Sequence, residues 1–149
     1  MSILKSMVGG LAGACVLTLV HETVRRTIPN APRMDILGMQ AIAKGLRMTG
    51  HTPPQSEEKL HTWAMVGDVV SNSLYYSFAG TGSSALKVGA VLGAAAGAGA
   101  VLLPGPLGLS EEPSNRTPET QAMTVGLYLL GGLVAGVVGS LIGNDEDEA

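Results

Sequence analysis

The stretch from Met123 to Gly143 runs twenty-one residues without a charge, and glycine recurs in it at Gly126, Gly131, Gly132, Gly136, Gly139 and Gly143. About 20 apolar residues in a helix match the roughly 30 Å hydrocarbon core of a bilayer. In water that much glycine would weaken a helix, by up to about 1 kcal/mol per residue against alanine. Between helices in lipid, glycine instead lets backbones approach closely. The pattern predicts a packed membrane span.

Composition points the same way. The chain is 46% hydrophobic and 14% charged, where soluble domains carry about a quarter charged residues. Its five aromatics, Trp63, Tyr75, Tyr76, Phe78 and Tyr128, are too few for an aromatic-rich soluble core. A length of 149 residues fits one domain. The net charge of −3 gives no ground for a nucleic-acid partner. Cys15 is the lone cysteine, which excludes an intrachain disulfide and a CxxC motif.

Four spans are expected: Ile3 to Val24, Leu60 to Ala79, Ala85 to Leu103 and Ala122 to Gly143. The second is the least apolar, carrying Asp68, Ser71, Asn72 and Ser73. The first twenty residues resemble a signal peptide, and Ala12-Gly13-Ala14-Cys15 resembles a lipoprotein cleavage box. However, the apolar run continues past Cys15, and Arg25-Arg26 follow it instead of leading it. The expectation is a retained first span.

Boundary signals agree. Thr117-Pro118-Glu119 offers an N-cap threonine, a proline at the first helical position and an early acid. Ser56-Glu57-Glu58 does the same before the second span, and Pro104-Gly105-Pro106 stops the third. Between the first two spans, Ile36, Met39, Ile42, Ala43 and Leu46 recur at helical spacing among Asp35, Gln40, Lys44 and Arg47. That predicts an amphipathic helix over 33–48 at the membrane surface.

Arg25, Arg26, Arg33, Lys44, Arg47 and Lys59 all lie between the first two spans, and the positive-inside rule places that segment in the cytoplasm. Both termini then face outward, with an acidic tail over 144–149. The fold expected is an all-α, integral membrane four-helix bundle in a bacterial-type inner membrane. Its expected partners are the lipid bilayer and other membrane subunits or a second copy.

Three residue sets stand out. Gly89, Gly93 and Gly97, and likewise Gly132, Gly136 and Ser140, fall at i, i+4 and i+8, which makes a groove on one face of each helix. They suit either dimerisation or intramolecular pairing of the third and fourth spans, and the latter is favoured because these spans are consecutive. In the second span His61, Asp68, Asn72 and Tyr75 share a face. An aspartate at that depth must face the interior, find donors or take up a proton. The stripe reads as interhelical glue, or alternatively as the wall of a transport path.

The third set is His21, Glu22, Arg25 and Arg26 at the end of the first span. It begins like HExxH, but Arg25 stands where the second histidine belongs. A metal site drawn from His21, Glu22, His61 and Asp35 is weaker than a pairing of Glu22 with Arg25 or Arg26. No catalytic residue, metal site or cofactor is expected, because the chain lacks a nucleophile elbow and a phosphate-binding glycine loop. The functional expectation is a non-catalytic accessory or scaffold subunit, with a small transporter as the alternative.

Overall fold

A computed structural model describes residues 3 to 144. Beyond Asn144, the expected acidic tail lies outside the described residues. The described chain is all-helical, in the order α1 (Ile3–Thr27), α2 (Met34–Met48), α3 (Glu57–Ser77), α4 (Ala85–Leu102), α5 (Glu112–Asn115) and α6 (Pro118–Asn144). α1, α4 and α6 are each long and apolar enough to cross a membrane. α3 is of similar length, 21 residues, but its polar positions keep it out of that set. The short helix α5 has no counterpart among the sequence expectations.

The starts follow local chemistry. The amide of Lys59 donates to Ser56 Oγ at 3.3 Å, capping α3. The Thr120 amide donates to Thr117 Oγ1 at 3.1 Å, so α6 begins at Pro118, four residues ahead of the expected span. Between α1 and α2 the chain turns through Asn30, whose φ of 60° lies in the left-handed region that asparagine tolerates.

The long helices lie antiparallel. α4 packs on α6, α6 on α1, α1 on α3, and α2 packs across α3. These contacts are made backbone to backbone. A Cβ on Gly89 or on Gly132 would collide with the other's carbonyl oxygen. One on Gly93 would stand 2.7 Å from Tyr128 O, and one on Gly97 2.8 Å from the Val125 Cα. Ser140 bonds its own helix at Val137 O; it is Gly139 that meets the Gly80 carbonyl. On α1, Gly9 and Gly13 face Ala135 and Gly131 of α6, while Gly10 faces Ser73 and Ser77 of α3.

Burial is inverted relative to a soluble protein. The interior holds Ala14, Ala64, Ala85, Ala135, Thr120 and Thr124 around Leu17, Tyr76 and Leu127. Large apolar side chains point outward instead, among them Leu4, Leu19, Val66, Val91 and Leu141. An apolar exterior this extensive is foreign to soluble monomers and natural in lipid.

Overpacking of a tight contact costs about 1–3 kcal/mol. Gly132→Ala is therefore expected to lower the thermal unfolding midpoint in detergent, whereas Gly126→Ala, with nothing within 4 Å of its new Cβ, should leave it unchanged or raised. Equal midpoints for the two variants would contradict the close α4–α6 approach.

Candidate functional site

The polar residues gather in two places. The first is the end of the molecule where α1 stops, α2 lies and α3 starts. Glu22 accepts from Arg25 Nε and Nη2, both at 2.7 Å, and from Arg26 Nη2 at 3.1 Å. Asp35, in the first turn of α2, accepts from Arg33 Nε at 3.0 Å and Nη2 at 2.8 Å. Its side chain is only 2% exposed, and Arg25 Nη1 and His61 Nε2 each lie 3.9 Å from its Oδ2. Asp35 is thus the hub that joins α1, α2 and α3.

Burial works to raise the Asp35 carboxyl, but the Arg33 hydrogen bonds and the charges of Arg33 and Arg25 outweigh it and hold the group below the usual aspartate range. His21 is buried, and its Nε2 lies 3.1 Å from Pro32 O and 3.3 Å from the Met34 amide. A ring nitrogen can serve only one of these at a time, donating to the carbonyl or accepting from the amide. Either way His21 ties α1 to the start of α2.

The same end is sewn further by the segment around α5. The Arg33 amide donates to Pro113 O at 2.8 Å. Thr120 Oγ1 donates to Asn30 O at 2.6 Å, and Asn115 Nδ2 to Val101 O at 2.7 Å. These bonds satisfy carbonyls that the turns leave without helical partners.

The second gathering lies between α3 and α4. His61 is with the end cluster beside Asp35, apart from the rest of the expected stripe. Asp68, Asn72 and Tyr75 line a cavity of about 520 Å³, with Ser71 beside them. Asn72 Nδ2 donates to Asp68 Oδ1 at 3.0 Å. Tyr75 donates its hydroxyl to Leu92 O at 2.9 Å, and Ser71 donates to Asp68 O at 3.2 Å. The opposite wall is Ala95, Ala96, Gly99, Ala100 and Leu103 of α4, with Tyr128 of α6 behind. Met34, Leu37, Gly38 and Ala41 of α2, with Pro104 and Leu107, line it toward the basic end.

Among the described residues no group of three His, Cys, Asp or Glu side chains is placed to hold a metal ion. Glu22 is engaged by Arg25 and Arg26, and Asp35 by Arg33 with Arg25 3.9 Å away. Two features went unread in the sequence: Asp35 as the hub, and the glycine face of α1. Gly9 and Gly13, set against Gly131, Ala135 and Gly139, repeat the four-residue spacing that could have revealed the latter.

Three helices of membrane-spanning length and apolarity mark the chain as a helical membrane protein. Comparison with family models, with curated proteins and with solved structures yields no match.

The depressed Asp35 carboxyl sets a pH dependence. A group whose folded value lies below its unfolded value of about 3.9 stabilises fully above that value, and the contribution fades as pH falls through it. Thermal unfolding in detergent should show Asp35→Asn less stable than the parent at pH 7, by about 2 kcal/mol. The gap should narrow toward pH 3. A gap that stays constant with pH would remove Asp35 as the electrostatic hub.

Proposed function

We propose that this chain crosses the bilayer four times, with α3 as the fourth span, and serves as a non-catalytic accessory subunit of the membrane. Support for the fourth span comes from the outer face of α3, where Trp63, Val66, Val70, Leu74 and Phe78 are exposed. Asp68 and Asn72 are turned inward, onto one another. Outward hydroxyls are spent on their own helix, Thr62 on Glu58 O and Ser71 on Asp68 O. Trp63, with Lys59 Nζ 5.5 Å from its ring centroid, sits where aromatic and basic residues anchor at an interface.

On this reading α2 and α5 lie on the cytoplasmic side of a bacterial-type inner membrane, because Arg25, Arg26, Arg33, Lys44, Arg47, Lys59 and Arg116 all belong to that end. The observation that carries the accessory role is how the polar groups are used. Glu22 is satisfied by Arg25 and Arg26 within α1 and Asp35 by Arg33 at the start of α2, while Arg25 of α1 and His61 of α3 each stand 3.9 Å from Asp35, which is structural stapling and not a converging catalytic set. The α4 and α6 glycines, including Gly136 against Ala85 O, serve the internal packing.

A second reading, a small transporter, is favoured by one observation: Asp68, Asn72 and Tyr75 line the same cavity. Proton or solute flux in proteoliposomes that is unaffected by Asp68→Asn would end it.

Single cysteines in a Cys15→Ser background test the crossing number. An impermeant maleimide added to intact cells should label Ser83→Cys, in the α3–α4 turn, and spare Thr52→Cys, before α3. Equal labelling would overturn the fourth span. The accessory role predicts a stoichiometric companion after extraction from native membranes in mild detergent; a homogeneous lone chain with measurable turnover contradicts it.

A further inference from the structure

We propose that the cavity between α3 and α4 is a binding site for an amphiphile with a primary ammonium head, entering sideways from the lipid. This rests on the four-span reading, which puts both walls within the bilayer. The size of the cavity argues for a small amphiphile over a partner helix. The Tyr75–Leu92 hydrogen bond ties α3 to α4 at one end, and residues of α2 with Pro104, Leu107 and Leu109 line the other. A volume of about 520 Å³ lies within the usual range for small-molecule pockets. The exposed members of the lining, Ala41, Ser71, Ala95, Leu103 and Leu107, frame the mouth.

The head group follows from the hydrogen bonds already made. Ser71 and Tyr75 have given their hydroxyl protons to Asp68 O and Leu92 O, and Asn72 has given one amide proton to Asp68 Oδ1. What the wall still offers is mostly acceptors: the second carboxylate oxygen of Asp68, the Asn72 carbonyl and two hydroxyl oxygens. Among the described residues, Asn72 is the side chain that donates to the Asp68 carboxylate. Such a wall calls for a ligand that donates, and preferably one that carries positive charge. An ammonium supplies three donors and a charge. The facing surface of Ala95, Ala96, Gly99, Ala100, Leu103 and Leu107 is apolar and suits a hydrocarbon tail.

The test is saturation binding of radiolabelled dodecylammonium to the full-length protein in lipid nanodiscs, with empty nanodiscs subtracted and labelled dodecanol as the uncharged counterpart. The expected result is one saturable ammonium site per chain, no saturable site for dodecanol, and at least tenfold weaker ammonium binding in Asp68→Asn. Ala96→Leu, which fills the cavity from the other wall and leaves the carboxylate in place, should weaken binding to a similar extent. Binding that is non-saturable, equal for the alcohol, or unmoved by both substitutions overturns the proposal. The cysteine labelling of Ser83→Cys and Thr52→Cys reads the crossing of α3 without any ligand. Absent binding with that pattern intact therefore counts against the site alone.

Discussion

Backbone contact between helices is the constraint from which the rest of this architecture follows. Lipid tails are as apolar as leucine, so burying a leucine between two spans gains little over leaving it in the membrane. Dispersion between closely apposed backbones does gain, and it requires that side chains be removed from the contact. Gly89 against Gly132, Gly93 against Tyr128 and Leu129, and Gly13 against Gly131 are contacts of that kind. The same economy explains why Leu4, Leu19, Val91 and Leu141 point away from the protein. They have no role inside, and lipid receives them without cost.

The two ends of the molecule answer different problems. Where α3 turns into α4, the connection is tight, and Gly82, at φ 87°, donates its amide to Gly139 O at 3.1 Å. No side chain separates these segments. At the other end the links are long, and their carbonyls and charges must be satisfied without a helical ladder. Side chains do that work there, with Arg33 on Asp35, Thr120 on Asn30 O, Asn115 on Val101 O and Lys44 on Leu107 O. The excess of arginine that would set orientation in the membrane also holds that end together.

Much of the helix order was legible because single residues mark it. Ser56 and Thr117 cap the helices they were expected to cap, and the helix after Arg33 ends at Met48 as its apolar spacing required. Tertiary choices were harder to read. His61 shares a helical face with Asp68 in the sequence, yet α2 brings Asp35 to its side. Nothing in the local spacing of α3 encodes where α2 will lie. The α1 glycines were hidden for a different reason. In a chain this rich in glycine and alanine, a four-residue spacing arises easily by chance, and only the partner surface on α6 gives Gly9 and Gly13 their meaning.

The position of Asp68 follows from how α3 changes partners along its length. Near the plain end α3 is clamped to α1, where Gly10 receives Ser73 and Ser77, and Tyr76 donates to Tyr128 O at 2.7 Å. Near the basic end it leans on α2, where Gly38 receives Ala64. α4, meanwhile, stays against α6 from Gly89 through Gly97. With α3 held by α1 and then α2, and α4 held by α6, Tyr75 and Leu92 are where the two walls are joined by a hydrogen bond. Below that bond the space stays open, and Asp68 and Asn72 fall on its wall. A carboxylate there keeps one oxygen within reach of whatever enters, and closing the gap with larger residues on α4 would bury that oxygen against hydrocarbon. The small residues at Ala95, Ala96, Gly99 and Ala100 are thus consistent with an opening that the fold maintains, not a packing defect that it tolerates.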